Sequence, residues 1–231
     1  MHTKSIYEDG PYLANNPTWH EQDSPWKAAN IDKLLKKNSI YPSTVCEVGC
    51  GAGAILSCLA NRYDRTLFSG YEISPQAFEM CNRKVRHNLR YFHKNLLGES
   101  ESGFDVVMAI DVFEHVEDYF GFLRGLREKG MYKIFHIPLD LSVQWVLRSS
   151  PLIKTRLSVG HLHHFTKETA LATLKDTGYE IVDYFYTNGS DVPNRGWKAD
   201  LLKIPRKLLF SLNQDLTVRI LGGFSLMVLA K

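Results

Sequence analysis

Cysteine is scarce and unpaired: there are four in 231 residues, Cys46, Cys50, Cys58 and Cys81, and no two form a Cys-x-x-Cys pair. That excludes a disulfide scaffold and leaves no spacing suited to a structural zinc site, so these are read as reduced, half-buried thiols. Excess charge is also missing. A formal net charge of +3 is small for this length and gives little support to nucleic acid as a partner. No apolar run is long enough to cross a bilayer; the longest, Leu221 to Ala230, reads as a strand. The opening residues, Met1 to Asp9, hold no apolar core of signal-peptide length, and the chain is expected to be cytoplasmic. Repeats and low-complexity tracts are absent. The apolar and charged fractions, 44% and 23%, are those of an ordinary globular domain.

What is present is an alternation of strands and helices. Residues 1–42 form an N-terminal segment and a helical cap, whose helix starts at Ser24-Pro25 and carries Ala28, Ile31, Leu34 and Leu35 on one face. Residues 43–231 form the main domain. Strands are predicted at about 44–48, 66–71, 89–92, 104–110, 132–137, 179–186 and 223–229. Helices follow the first, second and fourth, with Phe78, Cys81 and Val85 marking the buried face of the one that opens at Ser74-Pro75, and a loop holding Asn95, Gly98 and Gly103 follows the third. Short links between such elements indicate a doubly wound, mostly parallel sheet in an α/β fold. Residues 138–165 and 188–215 break the rhythm and are read as a substrate-side loop and a helical insertion. The second holds a basic amphipathic helix, about 199–212, with Lys198, Lys203, Arg206 and Lys207 on or beside it. Such a face is usually solvated, although it also suits an anionic substrate or membrane surface.

The chain is organised around Val45-Cys46-Glu47-Val48-Gly49-Cys50-Gly51-Ala52-Gly53-Ala54-Ile55-Leu56. A buried strand runs into three alternate glycines and the start of a helix, an arrangement that lets backbone N–H groups approach a ligand closely. Dinucleotide-binding proteins use a related Gly-x-Gly-x-x-Gly turn. Here the third glycine, Gly53, comes one residue early, and Glu47 stands two residues before the first. The order Glu-x-Gly-x-Gly-x-Gly resembles the cofactor motif of class I S-adenosylmethionine (SAM)-dependent methyltransferases.

Three further segments carry the resemblance in the right order. Gly70-Tyr71-Glu72-Ile73-Ser74 places an acid about 20 residues beyond the glycine turn. Lys94-Asn95-Leu96-Leu97 stands where the family usually has Asp and an apolar residue. Asp111-Val112-Phe113-Glu114-His115-Val116 follows the fourth strand and resembles the small-molecule branch. The resemblance implies a Rossmann-like seven-stranded sheet in three α/β/α layers, with an antiparallel last strand, and SAM as cofactor. Glu47 would accept from the SAM amino group. Glu72 would hold the ribose hydroxyls, with Ile73 beside it. Asn95 and Leu96 would meet the adenine, while Asp111 and Val112 would flank the methionine part, with Gly49, Gly51 and Gly53 forming the turn beneath. Trp19 and Trp26 are candidates to lie over the cofactor or simply to pack.

SAM carries an activated methyl group, so an oxygen or nitrogen acceptor needs positioning and the loss of a proton, and histidine suits the second task. His161, in Gly160-His161-Leu162-His163-His164-Phe165-Thr166, matches the histidine of a Gly-His-x-x-x-Phe-Thr segment in relatives and is the first candidate base; His115 is the second. His161 and His163 are also spaced to share a metal, but no acidic partner set is evident, so no metal site is assigned. The expected acceptor is a small molecule or a sugar or glycan precursor. No nucleic-acid partner is expected, since the charge is low and no Asn/Asp-Pro-Pro-Tyr/Phe segment follows the fourth strand. A non-catalytic SAM-binding regulator or scaffold is the alternative.

Overall fold

The computed structural model describes residues 11–191 and 197–231. The first nine residues and the side chains of Lys198 and Lys203 lie outside what it describes. Seven strands form one sheet: β1 (Thr44–Val48), β2 (Leu67–Glu72), β3 (Leu89–His93), β4 (Phe104–Ile110), β5 (Gly130–Pro138), β6 (Ile181–Asn188) and β7 (Phe224–Ala230). Their order is β3-β2-β1-β4-β5-β7-β6. The first five pair in parallel, and β7 runs antiparallel to both β5 and β6. The order reverses between β1 and β4, which is where open α/β sheets hold ligands beyond the strands' carboxyl ends.

Strand alternation sorts the core into two layers. On one face Val45, Val106, Met108, Ile110, Ile134, Met227 and Leu229 meet α2 (Ser24–Lys37), α3 (Ala54–Ala60) and α4 (Pro75–Asn82). On the other, Cys46, Val48, Val107, Ala109, Phe135 and Val228 meet α5 (Tyr119–Arg127) and α8 (Lys167–Asp176). The nearly continuous apolar runs of β4 and β7 follow from burial on both faces. Glu47 and His136 point to the α2 side by the same alternation, and both are buried.

Local chemistry sets most boundaries. Ser74 caps α4 by accepting from the Ala77 N–H, and Thr166 caps α8 in a reciprocal capping box with Thr169. α2 begins one residue earlier than the Ser-Pro signal suggests: Ser24 lies inside the helix, which continues directly from a short turn at Glu21–Asp23. Val85 is not on a buried face. α4 stops at Asn82 and Val85 is about half exposed; beyond it the Asn88 side chain donates to the carbonyls of Ala60, Tyr63 and Thr66 and draws the chain back to the sheet.

Outside the layers lie α1 (Pro11–Asn15), α6 (Val143–Arg148), α7 (Ser150–Ser158), α9 (Trp197–Leu212) and α10 (Gln214–Leu221). The substrate-side loop is therefore two helices, separated at Ser149, whose φ is 55°. The later insertion likewise carries α10 in addition to the one basic helix expected there.

Candidate functional site

The β1–α3 turn is fastened to the end of β2. Gly49 and Cys50 donate to the Tyr71 carbonyl at 2.8 and 3.1 Å. Gly51 donates to Glu72 Oε2 at 2.8 Å. Gly49, Gly51 and Gly53 all have positive φ, and a Cβ at Gly53 would sit 2.6 Å from Cys81 and Tyr91, so only glycine passes there. Gly51 differs, since its missing Cβ would meet only the Trp19 ring, at 3.7 Å. That ring and the turn together wall a cavity.

The cavity, of about 1040 Å³, opens at the carboxyl ends of β1, β2, β4 and β5. Of the residues expected there, Glu47, Gly49, Gly51, Gly53, Glu72, Ile73, Asp111, Val112, His115 and His161 line it, and so do Trp19 and Trp26. Asn95 and Leu96 do not. Asn95 is exposed and spends its side-chain oxygen capping the next turn, accepting from the Leu97 N–H at 3.1 Å. The Leu96 side chain is wholly buried in the core.

Glu47 is the group left wanting. Its side chain is buried, and no donor among the described residues reaches Oε2. Burial pushes its carboxyl up to about 8, against the pull of Lys27. Glu72 is also buried but well supplied: Oε1 accepts from the Ile73 and Ser74 N–H groups at 2.9 and 2.8 Å, and Oε2 from Gly51. Burial raises its carboxyl, with these three bonds opposing. Oε1 is fully used by its two donors, whereas Oε2 keeps a lone pair for a further one.

Asp111 sits at φ 55°, in the left-handed region, at the end of β4. Its carboxylate is gripped from two sides, by Lys27 Nζ at 2.6 Å and His136 Nδ1 at 2.6 Å. His136 Nε2 in turn meets Thr187 Oγ1 at 2.8 Å. Burial works against charge on Asp111, but His136 and Lys27 outweigh it and hold the carboxyl far below the usual range. Lys27 and His136 were not anticipated. The available signals were a lysine in the first turn of α2, where the helix dipole disfavours a cation, and a lone histidine within an apolar strand.

A second cluster stands beyond it. His161 Nδ1 meets Asp140 Oδ2 at 2.6 Å, and His164 Nδ1 meets the same oxygen at 3.3 Å. These bonds, with the charge of both histidines, lower the Asp140 carboxyl although its burial opposes them. The His115 and His161 rings lie 4.8 Å apart, edge to face. Burial, helped by His161, pushes His115 down to about 4, which makes it a poor proton acceptor near neutrality. His163 is turned away, donating from Nε2 to the Val116 carbonyl at 2.9 Å and packed on Tyr119. Glu114 is buried and no other described residue donates to either carboxylate oxygen. Burial raises its carboxyl strongly. Glu114, His115 and His161 each present a ligand atom within 4.8 Å of the others, as do Asp140, His161 and His164. The acidic partners that the histidine spacing alone did not reveal are thus Glu114 and Asp140.

A family model described as a methyltransferase domain matches residues 19–184. Over 145 residues the chain is 24% identical to the mitochondrial ubiquinone biosynthesis O-methyltransferase of Schizosaccharomyces pombe, covering 55% of this chain and 52% of that protein. Over 134 residues it is 23% identical to (S)-coclaurine N-methyltransferase of Papaver somniferum, covering 55% and 37%. The matches thus span about half the length, or less, of these curated relatives. Among solved structures, magnesium protoporphyrin IX methyltransferase from Synechocystis PCC 6803 with bound SAH shares the fold at a TM-score of 0.66 and 15% identity, over 98% of each chain. An N-methyltransferase from Bradyrhizobium japonicum in complex with S-adenosylhomocysteine does so at 0.62 and 16%, over 100% of this chain and 98% of that one.

Proposed function

The chain belongs to the methyltransferase-domain family, and we propose that it moves a methyl group from SAM to an oxygen or nitrogen of a small molecule or a sugar or glycan precursor. The observation that carries this reading is the buried Glu47 oxygen with no donor among the described residues, in the wall of the same cavity as the glycine turn and Lys27. A buried acceptor left unsatisfied is costly unless a ligand completes it, and the ammonium of an amino acid does so with charge to match. Lys27, in the wall of the same cavity, offers the opposite charge for the amino acid's carboxylate.

SAM supplies a sulfonium-activated methyl group, and transfer leaves S-adenosylhomocysteine. The chain's own residues bind, orient and move a proton. Glu47 takes the ammonium, Glu72 the ribose through the lone pair left on Oε2, and Gly49 and Gly51 allow the backbone to come close, with Ile73, Asp111 and Val112 completing the wall. Asn95 and Leu96 stand outside the cavity wall with their side chains committed to the next turn and to the core, and are not assigned to the adenine. His161, oriented by Asp140, takes the acceptor's proton; His115 supports it by contact. The carboxylate on Nδ1 fixes the proton there and leaves Nε2 as the basic nitrogen.

A second reading is favoured by Glu114. A divalent ion held by Glu114, His115 and His161 would satisfy its unpartnered oxygens, and the Asp140 bond to His161 is the kind that orients a metal-bound imidazole. Such an ion would lower the pKa of an acceptor hydroxyl directly. Titration calorimetry with SAM and with S-adenosylhomocysteine tests the donor site, and absence of binding by either refutes the proposal. Binding without turnover of labelled SAM across a panel of small metabolites and sugars favours the non-catalytic alternative. Activity lost on chelation and restored by one divalent ion favours the second reading.

A further inference from the structure

The helices outside the sheet layers turn apolar side chains outward. α6 and α7 bury no residue at all, while α10 packs between α6 and α9. Eleven large apolar residues on these four helices are exposed, among them Leu147 at 81%, Ile204 at 78%, Leu157 at 76% and Leu212 at 75%. Single exposed leucines need no explanation, but a row of them on adjoining helices marks a surface that something covers.

Charge indicates what covers it. Residues 141–158 contain Arg148, Lys154 and Arg156 and no acid, and none of the three cations has an ion pair among the described residues. On α9, by contrast, Arg206 turns inward to the Gly222 carbonyl and lies over the Phe224 ring, and Lys207 reaches Asp191 at 3.4 Å. On α6 and α7, protruding apolar residues interspersed with unpaired cations, without acids, are the composition of helices that lie in a bilayer interface, and the one acid in residues 204–221, Asp215, is paired with Lys167 at 2.6 Å. In a two-fold interface between copies the α6 and α7 surfaces would offer these cations no acid of their own, and Asp215 is already held by Lys167. No helix among the described residues is long and apolar enough to cross a membrane, so the contact is a surface one.

We propose that the face formed by α6, α7 and residues 204–221 docks on an anionic lipid bilayer. The face adjoins the cavity, because α7 leads into Val159 and His161 of the cavity wall, and Asn16 Nδ2 donates to the Ser158 carbonyl at 3.0 Å. Docking does not depend on methyl transfer; on that reading, however, the acceptor is an amphiphile met at headgroup level.

The test is flotation of the full chain with phosphatidylcholine vesicles, with and without phosphatidylglycerol. Binding is expected only with the anionic lipid and should weaken with salt. Reversing the three cations (Arg148→Glu, Lys154→Glu, Arg156→Glu) should reduce partitioning about 100-fold or more. Leu147→Asp and Leu157→Asp should each reduce it about ten-fold or more, with unchanged thermal melting because both side chains are exposed. Absence of flotation, or flotation that none of these variants alters, overturns the proposal. So does a stable dimer in sedimentation equilibrium that Leu147→Asp splits. S-adenosylhomocysteine binding, measured in parallel by calorimetry, reports separately on the donor site.

Discussion

Glu47→Gln separates the charge of this side chain from its shape. With its carboxyl raised to about 8, about nine in ten copies of the empty protein are protonated at pH 7. A protonated carboxyl and an amide are similar acceptors, so at pH 6 the variant should bind SAM almost as well as the parent. By pH 8 half of the parent is ionised. A hydrogen bond to a charged group contributes about 1.5–3 kcal/mol against about 0.5–1.5 for a neutral one, and completing ionisation at pH 8 costs only about 0.4 kcal/mol. The parent should then bind about five-fold more tightly. Calorimetry at both pH values reads this directly, and an equal gap at each would refute the assignment of Glu47 to the ammonium. Stability gives an independent check of sign. A carboxyl raised in the folded state binds more protons than in the unfolded chain between about 4.5 and 8, so the empty fold loses stability as pH rises through that window. At about 1.4 kcal/mol per unit the loss reaches on the order of 4 kcal/mol. The Gln variant escapes it, and in urea melts without ligand it should match the parent near pH 4.5 and exceed it at pH 8. Parallel profiles would show that Glu47 is not held protonated.

Glu72→Ala should weaken SAM binding by about 1.5–3 kcal/mol in calorimetry, and it should also loosen the glycine turn that Glu72 clamps through Gly51. An unchanged affinity would leave Glu72 a purely structural anchor. His161→Gln and Asp140→Asn should lower turnover with labelled SAM by about 10²–10⁴-fold and by a smaller factor, respectively. S-adenosylhomocysteine affinity should hold in both, and if it falls equally the cluster belongs to the donor site. Lys27→Met leaves Asp111 with His136 alone and should cost about 2 kcal/mol or more of stability, read by urea melts. Weaker SAM binding should accompany it.

The sheet was legible because its signals are local and redundant. Strand, glycine turn and helix lie within residues 44–60, and the apolar run of β4 has few readings other than a strand buried on both faces. The cavity wall was legible for the same reason, since Glu47, Glu72 and Asp111 each stand within one residue of a strand's end and therefore share one sheet edge. What escaped were partners brought in from a distance. Lys27 reaches Asp111 across 84 positions of chain, and His136 reaches Thr187 across 51. Asn95 misled in the opposite direction. Its amide was expected to serve a ligand, but a side chain that can cap its own turn usually does so first. Val85 failed on geometry, because helical spacing continues in sequence after the helix itself has ended.

The acceptor side turns on one nitrogen. The 2.6 Å contact between His161 Nδ1 and Asp140 requires the proton on Nδ1, since a carboxylate only accepts. Nε2 then carries the lone pair, and it can either take a proton or bind a cation but cannot do both at once. If it is the base, chelators leave the rate unchanged. If it is a ligand, Glu114, His115 and His161 would hold a divalent ion that would lower the pKa of an acceptor hydroxyl, and the pH profile of turnover should move when one divalent ion replaces another. Glu114 separates the two cases from the protein's side. Glu114→Gln removes a charge that a base mechanism does not use, so it should spare turnover and, by making a buried carboxyl permanently neutral, raise stability as pH increases. Under metal catalysis the same change removes a ligand, and activity should be recovered only at much higher ion concentration.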